Sequence, residues 1–388
     1  MWTRGALRQL APGILSGLPD GVLPILRSGL VSPLGIARAS LDLVLPRAND
    51  GTQDQSVGSM IRKRLGNESA ERMIDPLLGG IYGGDPDQLS LQATAPRLAA
   101  LAKEHRSLIH GLIATGRRAP VPSGAPMFKT LPGGLERIIS ALRSNLQMTD
   151  VVCNEGVRSL TQVKDGGYQL HTSAGRILQA DGVILALPAY RAAELLHDLS
   201  PAASNELHQI AYNPITVIWL AFEPDALPPL PTGSGFLVPR ADQRMISACT
   251  WASAKWSHLA DGDRVLLRCS VGRGREDTLT LNDEALVRGV VADLRAAIGV
   301  HDDPAAVLVT RFDRAMPQYT VGHLERVARL EQAMTGLPRL KIAGAAFSGI
   351  GIPQCITQGE KAAGTLAAEL WQKRPSGDRQ PTPTGPVG

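Results

Sequence analysis

The residues best placed to hold a ligand lie in a glycine-rich turn near the carboxyl end of the chain. The turn reads Gly344-Ala345-Ala346-Phe347-Ser348-Gly349-Ile350-Gly351-Ile352-Pro353. It lies between a predicted strand at 340–344 and a predicted helix at 357–370. Glycines let a backbone approach a ligand closely, and a helix N-terminus supplies unpaired N–H groups and a positive dipole end. The pattern suits the ribityl, pyrophosphate and ring-edge oxygens of a flavin, and it suits equally a tight turn that needs small residues.

The sequence lacks the usual side-chain patterns of nucleophilic and metal catalysis. It contains no G-x-S-x-G elbow, no H-E-x-x-H motif and no G-x-x-x-x-G-K-[ST] loop. The cysteines Cys153, Cys249, Cys269 and Cys355 are widely spaced, which argues against a zinc site or a disulfide framework and favours a reducing cytosol. His323 is assigned no acid–base role, because a lone histidine is more often structural. A cofactor that removes hydride needs no such set, so we predict no catalytic side chain and no metal.

The composition limits the class of protein that carries this turn. The chain has 388 residues, of which 44% are hydrophobic and 20% charged, a globular composition, and its length indicates two or three domains. No apolar window is long enough to cross a bilayer, and no signal sequence opens the chain, so a cytoplasmic location is predicted. The net charge is +4, but the basic residues are scattered, which excludes nucleic acid as the expected partner.

Apolar periodicity predicts the elements that position the turn. Helices are expected at 23–30, 36–45, 57–65, 90–114, 135–146, 283–298 with Asp283 as the cap, and 357–370. The apolar run 182–187 is typical of a strand buried on both faces of a parallel sheet. Strands at 215–222, 235–239, 245–251 and 264–271, separated by Gly, Pro and Asp turns, predict an antiparallel sheet. The predicted fold class is therefore α/β (α+β).

Several motifs together resemble the flavin-dependent protoporphyrinogen/coproporphyrinogen oxidase family, within the wider flavin amine-oxidase group. The most diagnostic stretch begins at Asp75, ends at Leu91 and reads DPLLGGIYGGDPDQLSL. The segments 130–135, 233–240 and 317–323 and the glycine turn with Gln354-Cys355-Ile356 after it continue the resemblance, which covers nearly the whole chain except its tail.

One family feature has no counterpart in this sequence. The family opens with a strand, a G-x-G-x-x-G turn and a helix that seat the FAD pyrophosphate, and no segment here matches that unit. We therefore expect a partial Rossmann-like FAD-binding domain, with weak or absent FAD binding and activity for the chain as given.

The resemblance also implies a division of the chain. It predicts a mostly helical, substrate- and membrane-facing lobe at 1–126, the two parts of the FAD-binding domain at 127–195 and 321–373, an antiparallel-sheet substrate domain at 196–320, and a disordered tail at 374–388.

The same resemblance implies an FAD site and a porphyrinogen pocket. Val157 would lie against the adenine and Phe312 near the isoalloxazine, and the flavin end would be contacted by Gly344, Ile350, Gly351 and Ile352. The porphyrinogen pocket would be lined by Ser234, Gly235, Phe236, Leu237 and Cys269, with Pro12-Gly13 near its mouth.

The implied activity is oxidation of coproporphyrinogen III or protoporphyrinogen IX to the porphyrin in haem biosynthesis, with FAD as cofactor and oxygen as acceptor. Peripheral association with the inner face of the cell membrane and a homodimer are compatible with it. Two alternatives stay open: a related flavoenzyme acting on an amine or a carotenoid, and a non-catalytic porphyrin-binding remnant.

Overall fold

The computed structural model describes residues 1–10, 28–46, 53–116, 128–164, 166–260, 262–272 and 280–372. They form two compact units, one of Met1–Asp150 with Tyr212–His323 and the other of Val151–Ala211 with Leu324–Gly388. Helices and sheets are mixed, which confirms the predicted α/β (α+β) class. Within the described ranges no helix has the length and apolar character needed to cross a bilayer. Pro12-Gly13, most of the predicted 23–30 helix and the tail lie outside the described residues.

Strands and helices alternate in blocks along the chain. The strands are β1 (Trp2–Thr3), β2 (Ala6–Leu7), β3 (Val157–Gln162), β4 (Tyr168–Thr172), β5 (Ile177–Ala180), β6 (Val183–Leu185), β7 (Tyr212–Phe222), β8 (Gly235–Leu237), β9 (Ile246–Trp251), β10 (Val265–Val271), β11 (Ala306–Pro317) and β12 (Leu340–Ile342). The α-helices are α1 (Pro33–Ser40), α2 (Val57–Leu65), α3 (Asn67–Ser69), α4 (Asp75–Tyr82), α5 (Leu91–Thr94), α6 (Pro96–Glu104), α7 (Leu108–Gly116), α8 (Glu136–Asn145), α9 (Ala189–Leu196), α10 (Pro201–His208), α11 (Ala252–Lys255), α12 (Asp283–Ile298), α13 (His323–Ala333) and α14 (Ile352–Gln372).

The first unit is built on a five-stranded antiparallel sheet with the strand order β11-β7-β10-β9-β8. One face of this sheet packs on α12, whose Leu286, Val290 and Leu294 are fully buried. Apolar area removed from water is the main favourable term in folding, so this interface is the principal core of the unit. The predicted antiparallel strands are confirmed.

A buried polar network around Asp42 joins three parts of the helical region of the first unit. Its carboxylate pairs with Arg64 and accepts hydrogen bonds from Ser107 Oγ at 2.6 Å and Ile109 N at 2.9 Å. A buried carboxylate is stable only when its oxygens are satisfied. The network therefore fixes α2, α7 and the turn after α1 against one another.

The second unit contains a three-stranded antiparallel sheet, β3-β4-β5, and a parallel pair, β12-β6. Tyr168 of β4 is fully buried, and its hydroxyl donates to Pro338 O at 2.8 Å. Arg329 of α13 pairs with Glu206 of α10 at 2.9 Å. The Tyr168 hydrogen bond holds the start of β12, which leads into the glycine turn, while the Arg329 pair joins the two helices.

Two expectations about local structure are wrong. The strand at 182–187 is not buried on both faces: Val183 and Leu185 are buried but Ile184, on the opposite face, is 36% exposed, so the described chain covers only one face of β6. The cap of α12 is Asn282, whose side chain accepts from Ala285 N at 2.8 Å, while Asp283 lies one residue inside the helix.

We expect Tyr168→Phe to lower the free energy of unfolding by about 1 kcal/mol near neutral pH, because the hydrogen bond to Pro338 is lost. Burial raises the pKa of Tyr168 to about 12, above the value of about 10 for an unfolded tyrosine. The stability contributed by the protonated phenol is therefore fully present below pH ~10 and is lost as the pH rises toward the folded pKa. Urea unfolding at several pH values should show the deficit of the variant shrinking above pH ~10; a constant deficit would contradict this assignment.

Candidate functional site

A single arginine holds both ends of the signature helix α4. Asp75 begins this helix and Asp85 follows its end. Arg240 Nε lies 2.9 Å from Asp75 Oδ1, and Arg240 Nη2 lies 2.8 Å from Asp85 Oδ1. Burial opposes ionisation of Asp85, but hydrogen bonds from Arg240 and from Asp87 N leave its pKa below the usual range. The arginine thus ties the helix to the turn that follows β8.

Two side-chain amides hold the last carbonyls of α4. Asn213 Nδ2 donates to Gly83 O at 2.8 Å, and Gln318 Nε2 donates to Tyr82 O at 2.8 Å. Gly83 has φ +60, a left-handed helix end that favours glycine. A Cβ on Gly84 would lie 2.1 Å from Gln318 Oε1, so the second glycine leaves space for the amide. The turn and its amide partners therefore explain why the signature has glycine at both Gly83 and Gly84.

The sheet register divides the predicted substrate residues between two faces. Phe236 pairs with Cys249, and Cys249 pairs with Cys269; all three side chains are buried in the core against α12. Burial raises the pKa of Cys249 well above its usual value, so this thiol is not a thiolate at neutral pH. Phe236 and Cys269 therefore present no exposed side chain to a ligand, and their place in a pocket stays a prediction.

The opposite side of the same sheet, which we call the open face, carries the other predicted residues. It is formed by alternate residues of the five strands: Gly235, Leu237, Ala248, Thr250, Arg268, Ser270, Ile215, Val217, Trp219, Leu308, Thr310 and Phe312. Phe312 is 48% and Leu308 61% exposed. The helix α4 borders this face, since a Cβ on Gly80 would lie 3.2 Å from Leu237 Cδ2. Ser234, just before β8, is exposed.

The glycine turn belongs to the second unit. Some of its glycines make room for a neighbouring side chain, and one leaves backbone open to a ligand. A Cβ on Gly351 would lie 2.3 Å from Gln354 Oε1, and one on Gly349 would lie 2.7 Å from Gln354 Cγ, so these glycines make room for Gln354. Gly344 differs, because it has φ +139 and no atom within 4 Å of its Cβ position. Open backbone at Gly344 and the N-terminus of the 21-residue helix α14 fit the phosphates and ring edge of a flavin dinucleotide.

A cavity of about 1100 Å³ adjoins this turn within the second unit. Its lining combines Phe347 and Ser348 of the turn, the strand β12, and polar residues of α14 that include Gln354, Gln358 and Thr365. Binding clefts for small molecules typically combine an apolar lining with a few polar groups. Ile350 is half-buried, and Ile352 and Val157 are 48% and 36% exposed; their cofactor contacts stay predictions.

Sequence patterns did not reveal three of the residues that shape the site. Arg240, Asn213 and Gln318 contact the signature helix from 165, 130 and 236 residues away along the chain. Arg240 and Gln318 lie in segments 233–240 and 317–323, which carry the family resemblance, but that resemblance does not specify their partners. Asn213 lies in none of the segments singled out from the sequence.

The chain is similar over most of its length to known proteins. The family model of flavin containing amine oxidoreductases matches residues 2–367. A coproporphyrinogen III oxidase of Bacillus subtilis (strain 168) is 36% identical over 365 residues, covering 92% of this chain and 76% of the relative. One of Propionibacterium freudenreichii subsp. freudenreichii is 33% identical over 395 residues, covering 93% and 73%. A crystal structure from Exiguobacterium sp. 255-15, assigned as a protoporphyrinogen oxidase, is 30% identical with a TM-score of 0.79, covering 95% of this chain and 79% of that one.

We expect Arg240→Leu to destabilise the first unit by about 2 kcal/mol, less than the roughly 3–5 kcal/mol of a fully buried pair because Arg240 is partly exposed. The loss arises because the side chain of Asp75, which is 5% exposed, loses its ion pair with Arg240. Urea unfolding of the variant and of Arg295→Leu, whose partner Asp303 is exposed, measures the difference. Equal stability losses in the two variants would contradict the role of Arg240.

Proposed function

The chain belongs to the flavin containing amine oxidoreductase family, and we propose that it oxidises a porphyrinogen, coproporphyrinogen III, to the porphyrin. The observation that carries this proposal is its likeness to coproporphyrinogen III oxidases over most of the chain. The same likeness favours a porphyrinogen over an amine or a carotenoid as the substrate.

FAD, when bound, would supply successive two-electron oxidations, in each of which a hydride and a proton leave the porphyrinogen and one oxygen molecule is reduced to hydrogen peroxide. The chain's own residues supply binding and orientation. In the second unit, the backbone at Gly344 and the N-terminus of α14 would hold the dinucleotide. In the first unit, Trp219, Leu237 and Phe312 of the open face offer an aromatic and aliphatic surface suited to a flat tetrapyrrole.

The activity is tested by adding FAD and coproporphyrinogen III to the protein and recording porphyrin fluorescence and oxygen uptake. Because weak FAD binding is predicted from the sequence, FAD is added in large excess, and we expect fluorescence to rise slowly and only when both FAD and oxygen are present. A protein that holds FAD and never forms porphyrin would exclude the proposed activity.

The FAD site is tested in the same preparation by Gly344→Val, which would fill the open space at a backbone conformation that disfavours a side chain. The Kd for FAD, measured by titrating the protein with FAD and following flavin fluorescence, should rise by about tenfold or more, equivalent to at least ~1.4 kcal/mol. The matched control is Gly359→Ala within α14, whose Cβ meets no atom within 4 Å. The assignment of Gly344 would be refuted if the control also bound FAD more weakly, or if neither variant did.

A peripheral position on the inner face of the cell membrane is supported by apolar side chains in the helical part of the first unit. Leu34 and Val44 are 84% and 69% exposed, and Leu41 and Leu43 are nearly half exposed. The net charge of +4 would add attraction to anionic lipids. A cytoplasmic location accords with this arrangement; a homodimer stays a prediction.

We expect the protein to sediment with vesicles of phosphatidylglycerol and less with phosphatidylcholine, because charge and apolar burial both contribute. A double variant, Leu34→Glu with Val44→Glu, should lose most of this sedimentation. Ile177→Glu, on a 57% exposed residue of the second unit, is the control. Sedimentation that is absent, or equally reduced by the control, would contradict membrane contact through the first unit.

A further inference from the structure

We propose that Arg268, assisted by Lys255, binds a carboxylate of the porphyrinogen on the open face and makes the enzyme prefer the more carboxylated substrate. The inference rests on the proposed function. It names a specificity-determining residue that none of the sequence motifs contains.

The sheet register fixes the direction of the Arg268 side chain. Its neighbours in the strand, Leu267 and Cys269, are fully buried on the core face. Because successive side chains of a strand alternate, Arg268 stands on the opposite, open face. Across the sheet it pairs with Trp219 on one side and Thr250 on the other. The guanidinium thus arises from the middle strand of the sheet, beside an aromatic ring.

The second cation comes from the helix that directly follows β9. Lys255 ends α11, and this helix is joined to β10 through the hydrogen bond from Leu266 N to Ser253 Oγ at 3.1 Å. The Lys255 ammonium lies 5.1 Å from the ring centroids of both Phe128 and Trp256. Burial and the positive charge of Arg268 lower the pKa of Lys255. The hydrogen bond to Ser253 places the helix that carries Lys255 against the strand that carries Arg268.

Neither cation has an acidic partner within the described part of the chain. Burial lowers the pKa of Arg268, and no carboxylate opposes that effect. Most buried arginines and lysines in proteins are paired, because a buried charge loses its hydration and needs an ion pair or hydrogen bonds to compensate. Arg240 and the more deeply buried Arg64 of the same unit follow that rule, Arg240 with two aspartates and Arg64 with Asp42. An anion supplied by a ligand would complete the pair at Arg268.

The chemistry of the open face selects the class of anion. A guanidinium binds a carboxylate in a planar, bidentate manner, and Lys255 would add a third donor. Trp219, Leu237 and Phe312 on the same face suit a large, flat, apolar body. A tetrapyrrole whose edge carries propionates presents both features. Coproporphyrinogen III carries more propionates than protoporphyrinogen IX, so a cationic subsite of this kind discriminates between the two.

The test compares Arg268→Gln, Arg268→Lys and the control Arg264→Gln with the wild type. Arg264 precedes the same strand and pairs with exposed Glu223. For coproporphyrinogen III, we expect Arg268→Gln to raise KM by about tenfold or more with little change in kcat, as expected for loss of a binding contact. KM for protoporphyrinogen IX should change less, Arg268→Lys should restore part of the affinity, and Arg264→Gln should behave as wild type.

Thermal unfolding separates a binding role from a structural one. Removing an uncompensated cation should leave the melting temperature of Arg268→Gln unchanged or higher, whereas a packing role would lower it. The inference is overturned if KM for the two porphyrinogens rises by the same factor, or if neither changes.

A direct binding measurement keeps this inference distinguishable from the proposed oxidase activity. Binding of coproporphyrin III is followed by quenching of tryptophan fluorescence, without turnover. If the wild type binds it, Arg268→Gln binds it at least about tenfold more weakly, and no oxidation occurs, the carboxylate subsite stands and the oxidase activity is refuted. If coproporphyrin III binds wild type and Arg268→Gln equally, or does not bind the wild type, the subsite is refuted.

Discussion

Side chains of an antiparallel sheet point alternately to its two faces, and the first unit depends on this alternation. In β10, Leu267, Cys269 and Val271 enter the core against α12, while Arg268 and Ser270 stand on the open face. A shift of one residue in the pairing would bury the arginine and expose the core. The need to bury one apolar face therefore also fixes the residues that the other face presents.

The parts of the first unit around the open face are held by polar contacts between distant segments. Arg240 links the two ends of α4, and Asn213 and Gln318 bond its last carbonyls. These groups are paired within the protein and serve its stability. Arg268 lacks such a pair in the described chain, so its charge is available to a ligand. Proteins commonly retain destabilising groups where binding requires them, and the contrast between the two arginines fits that rule.

The local sequence pattern was sufficient to predict several helices and strands, but it was not sufficient to predict the contacts of the site. The strands β7, β9 and β10 and the helix α12 were predicted because their apolar residues recur at strand or helix spacing. The family was predicted from the segment at 75–91 and is confirmed, and with it FAD as the cofactor. The prediction that the apolar run at 182–187 is buried on both faces was wrong, because a run of apolar residues does not specify which elements cover each face of the strand. That Arg268 has no acidic partner among the described residues could not be predicted either, since this depends on which side chains the sheet brings across from other strands.

The most direct test is a crystal structure of the protein with coproporphyrin III bound. The account predicts a tetrapyrrole against the open face, near Trp219 and Phe312, with a propionate within about 3 Å of the Arg268 guanidinium. A tetrapyrrole bound elsewhere, with Arg268 contacting only solvent, would contradict it.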